Sequence, residues 1–344
     1  MKQKICLPLL AVVLLTGAAP LFAQQSLISG GGSTMSSYLG TANQFWKLRL
    51  LFTDDTDAFM DPNDYRSLGL QDFFAEAQAA TAVGGSQIAG GFAKDFGVVY
   101  TSLFFEGAGN DFVFGDDNAL SIMIGTASVG AFKPFFRKTT ADTLFGLVWG
   151  TNISSGGKLF KPEVLVSYRD QKADDYDGLL DAGAALGVDF IPEDGEASLD
   201  VQYELKFGIP ANSGFFHDHF ATLVYRRLYD VTGDFSAGWG AGFAAWFTKG
   251  KNSPDEKWGF NPLADLGFTY RMGEVFGING QLVVSYKSDH NGTTSYIGGF
   301  NLIPVLGASF TPHESLKIEL GVQPPANLTG VQPWNVSLLA SFKK

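Results

Sequence analysis

Much of this chain alternates between apolar and polar residues with a period of two. Residues 196–207 (EASLDVQYELKF) place Val201 and Tyr203 on one side of an extended strand and Gln202 and Glu204 on the other. Such a pattern indicates a β-strand with one apolar and one polar face. A chain made mostly of such strands must form a sheet that keeps one of its faces away from water.

The same alternation recurs in four further segments along the chain. They are residues 160–169, 281–287, 316–322 and 334–342. Their lengths are near the ~10 residues of a membrane-spanning strand. The sequence therefore predicts an all-β protein.

The composition is more apolar than that of an ordinary exported domain. Aromatic residues make up 14%, with 31 Phe, and charged residues only 17%, against about 25% in typical soluble domains. No apolar run approaches the ~20 residues that a transmembrane helix needs. The apolar surface must therefore lie in a large core or face lipid from a closed β-barrel, in which every backbone group is paired.

The N-terminus has the three parts of a secretory signal peptide. Lys2 and Lys4 precede an apolar run over residues 5–15, and Ala23 precedes a cleavage site. Residues 1–23 are thus predicted to be removed, together with the chain's only cysteine, Cys6. The Gly- and Ser-rich residues 24–44 are predicted to form a periplasmic tail or a small plug, and residues 45–344 the barrel.

The C-terminal segment PWNVSLLASFKK gives a more specific indication. One side of this strand carries Trp334, Val336, Leu338, Ala340 and Phe342. An alternating last strand with an aromatic residue near its end resembles the assembly signal of Gram-negative outer-membrane β-barrels, although Lys343 and Lys344 displace the usual terminal aromatic. The resemblance is to this porin-like class and identifies no family within it.

The resemblance implies a transmembrane antiparallel up-and-down β-barrel in the cell outer membrane. Its partners would be the lipid bilayer, the barrel-assembly machinery, small solutes and, in an oligomer, further copies of the chain. Tight turns alternate with longer polar loops, as in bacterial barrels. Counting strands from residue 45 gives 16, or 14 if the doubtful strand pair near residues 121–138 is merged into its neighbours.

Two local features yield further expectations. Residues 67–83 are rich in alanine and predict a short helix, in a loop that folds into the lumen; a surface flap or another strand pair are the alternatives. The six tryptophans are predicted to form two interfacial belts, with Trp46, Trp149 and Trp239 near the periplasmic ends and Trp246, Trp258 and Trp334 near the outer ends.

Charged residues in the polar phase of the strands are predicted to line a pore. On the lipid face, Arg or Lys at the midplane would cost ~2–4 kcal/mol each, and a barrel of 14–16 strands leaves room for water. Their slight cationic excess favours anions. The predicted pore-lining residues are Lys47, Arg49, Lys161, Glu163, Arg169, Asp200, Glu204, Lys206, Asp265, Arg271, Lys287, Lys317 and Glu319.

Other chemistry has little support in the sequence. Asp218 and His219, facing Asp55 and Asp57, could imitate the site of omptin-like proteases, and His217, His219 and His290 could bind a metal; we predict neither, and no enzyme activity or cofactor. The acidic residues 54–64 lack the EF-hand pattern, and a net charge of −11 argues against nucleic acid.

Three functions remain open at this stage. The first is a pore for passive diffusion of small solutes or ions. The second is a structural or adhesive barrel with acidic surface loops. The third is a channel for hydrophobic substrates, similar to the fatty-acid transporter barrels. A soluble exported β-protein is a fourth and less favoured interpretation.

Overall fold

The computed structural model describes eleven stretches of the chain. They are residues 71–80, 86–109, 117–126, 128–138, 143–170, 177–190, 195–209, 217–249, 257–291, 296–323 and 335–343. The predicted signal peptide, the residues 24–44 and the start of the predicted barrel lie outside these stretches. No helix in the described part is long and apolar enough to cross a membrane.

The described residues form strands throughout. They are β1 (Gln71–Ala80), β2 (Ser86–Asp95), β3 (Val99–Gly109), β4 (Asp117–Thr126), β5 (Gly130–Lys138), β6 (Thr143–Gly150), β7 (Ile153–Ser155), β8 (Lys158–Asp170), β9 (Gly178–Phe190), β10 (Gly195–Ile209), β11 (His217–Thr232), β12 (Phe235–Lys249), β13 (Lys257–Met272), β14 (Phe276–Asn291), β15 (Tyr296–His313), β16 (Leu316–Gln323) and β17 (Asn335–Lys343).

The strands pair antiparallel in chain order and return on themselves. β1 pairs with β2 on one side and with β17 on the other, and the seam to β17 runs from Asp72–Lys343 to Ala80–Asn335. The short β7 continues the line of β6, because both pair with β8. The seventeen segments therefore make sixteen antiparallel strands in up-and-down order, and the prediction of an up-and-down β-barrel is confirmed.

Two sequence expectations about strand boundaries are settled here. β4 and β5 are separate strands, and Gly130, where β5 begins, has a left-handed φ of 89°. The described strands number sixteen, but they start with β1 rather than with the strand predicted at residue 45, which lies outside the described residues. The helix expected in residues 67–83 is wrong, because residues 71–80 are β1. Its alanines at positions 75, 77 and 79 alternate with Glu76 and Gln78; the weak hydrophobicity of alanine concealed this period of two.

The described connections fall at one end of the barrel. Tight turns join β2 to β3, β4 to β5, β7 to β8, β11 to β12, β13 to β14 and β15 to β16. Glycines with positive φ supply the conformation at several of them, as at Gly97 (84°) and Gly273 (71°). We call this end the turn end and the other the loop end. The predicted tight turns thus lie together, as the barrel pattern requires.

The outer face of the barrel is apolar and exposed. Phe92, Phe145, Val166 and Leu266 are each more than two-fifths exposed, as are many aromatic and branched side chains in the same strand phase. In water such a face would be a large exposed apolar patch. On a transmembrane barrel it is the surface that contacts lipid.

The tryptophans fit the two predicted belts only in part. Trp149 lies at the turn end and donates a hydrogen bond from Nε1 to the Val129 carbonyl oxygen at 3.0 Å. Trp239 and Trp258 both face outward. Trp239 lies nearer the turn end and Trp258 lies at the loop end. Trp246 is different, because it stands opposite Phe220 in the inward phase of β12. Trp46 and Trp334 lie outside the described residues.

Candidate functional site: the charged inner wall

The inner face is defined by the residues opposite in phase to the exposed apolar ones. In β10, Val201 and Tyr203 are exposed on the outside, while Gln202 and Glu204 are buried on the inside. The split that the sequence predicted for residues 196–207 is therefore observed. We call the inner face of β8–β11 the charged wall.

Two short ion pairs join neighbouring strands of the charged wall near the turn end. Arg226 Nη1 lies 2.6 Å from Asp200 Oδ2, and Lys161 Nζ lies 2.9 Å from Asp189 Oδ2. A Cβ on Gly187, which stands between Lys161 and Asp200 in the register, would lie 2.9 Å from Asp200 Oδ1. The missing side chain at Gly187 therefore lets these charged groups pack across it.

A second polar row crosses five strands nearer the loop end. Register pairs place Ser167, Asp181, Lys206, Asp218 and Thr248 side by side from β8 to β12. The Thr248 hydroxyl donates to Asp218 Oδ1 at 2.7 Å. Every side chain in this row can form hydrogen bonds, so the row is a continuous polar band on the inside of the barrel.

Lys206 connects this row to its neighbours. Its Nζ lies 3.5 Å from Glu204 Oε1 and 5.0 Å from the centre of the Phe220 ring. Glu204 is fully buried and Lys206 nearly so. Buried ion pairs give little net stability, but removal of one partner typically costs ~3–5 kcal/mol because the other charge stays buried. The wall is thus sensitive to changes of single charges.

The structure places the predicted pore-lining residues as follows. Lys161, Glu163, Arg169, Asp200, Glu204, Lys206 and Lys317 occupy inward positions, and Arg271 is exposed at the turn end. Asp265, Lys287 and Glu319 occupy positions in β13, β14 and β16, while Lys47 and Arg49 lie outside the described residues. Whether these side chains line a conducting path stays a prediction.

Among the described residues, sequence reasoning missed at least five inward charges. They are Lys133, Asp181, Asp189, Asp218 and Arg226. In β9 the alternation is hidden because Ala182, Gly183, Ala184 and Ala185 are all small. Arg226 is followed by Arg227, so the sequence does not indicate which of the two arginines faces the interior. The better signal was the register that the neighbouring strands impose.

These residues change the charge balance that the sequence predicted. The charged wall carries the cations Lys161, Arg169, Lys206 and Arg226 and the anions Glu163, Asp181, Asp189, Asp200, Glu204 and Asp218. Anions outnumber cations on these four strands. The expected cationic excess is therefore not found on this wall.

The inner face of the adjacent strands β4–β6 is largely apolar, and Leu165 of β8 borders it. The buried apolar side chains, each exposed by 4% or less, are Met123, Phe135, Leu144, Val148 and Leu165. Lys133 is buried among the same strands, at 1% exposure. The interior therefore has a charged side and an apolar side.

His219 and Asp218 lie on opposite faces of β11. The Tyr203 hydroxyl and His219 Nδ1 are hydrogen bonded at 2.7 Å on the outer face, where His219 also contacts the Phe247 ring. Asp218 points inward to Thr248. Adjacent strand residues point to opposite faces, so they do not form an acid–base pair. The part of the chain that the structure describes holds no group of three or more His, Cys, Asp or Glu side chains able to bind a metal.

The predicted assembly strand is β17. Val336, Leu338, Ala340 and Phe342 stand opposite Val322, Leu320, Ile318 and Leu316 of β16, and the Phe342 side chain is exposed on the outer face. Trp334 lies outside the described residues. The role of this strand as an assembly signal remains a prediction.

Comparisons with known proteins support the fold and name no family. No family model matches the chain, and no curated protein does. A bacterial polysaccharide outer membrane secretin is similar in structure, with a TM-score of 0.52 and 8% identity over 80% of this chain and 98% of its own. CdiB from Acinetobacter baumannii has a TM-score of 0.52 and 13% identity over 80% of this chain and 60% of its own.

At such low identity these likenesses show the fold alone. Together with the closed antiparallel sheet and its exposed apolar outer face, they define the class of protein. The chain has the fold of an outer-membrane β-barrel, with sixteen strands among the described residues.

Proposed function

We propose that the barrel is a pore for passive diffusion of small polar solutes or ions across the outer membrane. The observation that carries this proposal is the charged wall, because charges inside a sixteen-strand barrel face a lumen wide enough for water. Asp200 supports it most directly: its side chain remains 42% exposed although it pairs with Arg226. An accessible charge on the inner face is the kind of group that selects among ions.

Single-channel recording tests this proposal. The protein, refolded in detergent and added to a planar bilayer, is expected to give discrete conductance steps. Asp200→Lys should shift the reversal potential in a salt gradient toward anions. Glu274→Lys, at an exposed position in the turn between β13 and β14, is the matched control and should shift it less.

Absence of any conductance from correctly folded protein would contradict the pore. The structural or adhesive barrel would then be the better account. Heat-modifiable mobility in detergent gels distinguishes this outcome from a failure to refold, because a folded barrel and its boiled form migrate differently.

A second candidate is a channel for hydrophobic substrates. The apolar inner side formed by Met123, Phe135, Leu144, Val148 and Leu165 favours it, because apolar side chains inside a barrel suit an apolar ligand. A fatty acid labelled with a fluorophore is the probe. Tight binding that is weakened by Leu144→Glu but not by the outward Leu147→Ser would support this function; no binding to folded protein would remove it.

A further inference from the structure

We propose that Asp181 and Glu204 form a buried proton-binding site on the inner face, in which the two carboxyl groups share one proton at neutral pH. The proposal concerns the wall of the barrel and does not depend on whether the barrel conducts. It rests on three features: the contact between the two groups, their burial and the charges around them.

The two carboxyl groups are diagonal neighbours on adjacent strands. Asp181 stands opposite Lys206, and Glu204 stands opposite Gly183, which has no side chain to separate them. The two side chains lie within hydrogen-bonding reach of each other. An ionised carboxylate can only accept hydrogen bonds. A hydrogen bond between them therefore requires a proton on one of them.

Both groups are withdrawn from solvent. Glu204 is 0% exposed and Asp181 is 5% exposed. Two ionised carboxylates in contact in such a place would repel each other without water to screen them, and a shared proton removes this repulsion. Ionisable residues inside membrane-spanning segments are costly and commonly functional.

The charges that face the pair balance only when one proton is present. Arg169 approaches from β8, Lys206 from β10 and Asp218 from β11. Three carboxyl groups thus face two cations, an excess of one negative charge. The Thr248 hydroxyl donates to Asp218, whereas Asp181 and Glu204 contact each other. We therefore assign the proton to the Asp181–Glu204 pair.

Infrared spectroscopy of the refolded barrel tests the proposal. A protonated carboxyl group has a C=O stretching band that an ionised carboxylate lacks, and the band shifts when H₂O is exchanged for D₂O. We expect this band at neutral pH in the parent protein and its loss on raising the pH. Asp181→Asn and Glu204→Gln should each abolish the band. Because there are two variants, the test can still be made if one of them does not fold.

Asp200→Asn is the matched control. Asp200 lies on the same wall but contacts Arg226 rather than another carboxyl group, so this variant should keep the band. Heat-modifiable gel mobility identifies the variants that fold. Absence of the band from the folded parent, or its persistence in a folded Asp181→Asn or Glu204→Gln variant, would overturn the proposal.

Discussion

The Arg226 guanidinium lies 2.6 Å from the Asp200 carboxylate across strands β11 and β10, on the inner face of the barrel. The two residues are diagonal neighbours, since Arg226 stands opposite Ser198. Arg226 is the more buried partner, at 19% exposure against 42% for Asp200. The pair therefore joins a withdrawn cation to an accessible anion.

Removal of either partner should lower the stability of the barrel, and the two losses should differ in size. Asp200→Ala leaves Arg226 withdrawn and without this partner, so it should cost more than Arg226→Ala, which leaves an accessible carboxylate. A double-mutant cycle should give a coupling energy of about 0.5–3 kcal/mol. Urea unfolding in lipid vesicles measures all three variants; a coupling energy near zero would show that the pair contributes nothing.

Phe342 should matter for assembly in cells. Its side chain is exposed on the outer face of β17, near the C-terminus, in the strand that resembles an assembly signal. Phe342→Ala is expected to lower several-fold the amount of protein inserted in the membrane. Phe310→Ala is the control, because Phe310 is exposed in the same way on β15. Equal insertion levels for the two variants would show that β17 is not specially recognised.

Reversal of three cations on the charged wall should alter ion selectivity. In Lys161→Glu, Arg169→Glu and Lys206→Glu combined, the local potential becomes more negative and attracts cations. The reversal potential in a salt gradient should move toward cations. Lys158→Glu, at an exposed position beside the turn between β7 and β8, should have a smaller effect. A reversal potential unchanged from the parent would mean that these residues lie off the conducting path.

Two turn glycines should respond differently to alanine. Gly97 and Gly130 both have left-handed φ, at 84° and 89°, which costs an alanine ~1–2 kcal/mol. At Gly97 nothing lies within 4 Å of an added Cβ, whereas at Gly130 the Cβ would overlap the Gly150 carbonyl oxygen and lie 2.7 Å from Thr151 Cβ. Gly130→Ala should therefore destabilise the barrel more than Gly97→Ala. Urea midpoints measure the difference, and equal losses would contradict the crowding at Gly130.

The sequence was sufficient to predict those strands whose two faces differ strongly in polarity. In β10 the alternation of Val201 and Tyr203 with Gln202 and Glu204 predicted both the strand and its inward phase. In β1 and β9 the alanines and glycines lack such contrast, so β1 was taken for a helix and Asp181 was missed. A small side chain can face lipid or the interior at similar cost, and only pairing with the next strand decides its phase.

The candidate site was harder to predict than the fold because its contacts are diagonal. Arg226 contacts Asp200, and Lys161 contacts Asp189, across neighbouring strands. The sequence does not determine the register between these strands. A one-residue slip would exchange the two faces. The phase of the charges on β8 and β10 follows from the local alternation, but their partners depended on registers that local patterns do not encode.

The seam between β1 and β17 has a consequence for the order of events during biogenesis. It joins residues near position 75 to residues near position 340, so the last hydrogen-bonded ladder can form only when almost the entire polypeptide is available. Until then both edges of the sheet expose unsatisfied amides to other strands, which favours misassociation. Such long-range closure is slow. We therefore expect the chain to need a chaperone that shields these edges until its two ends pair.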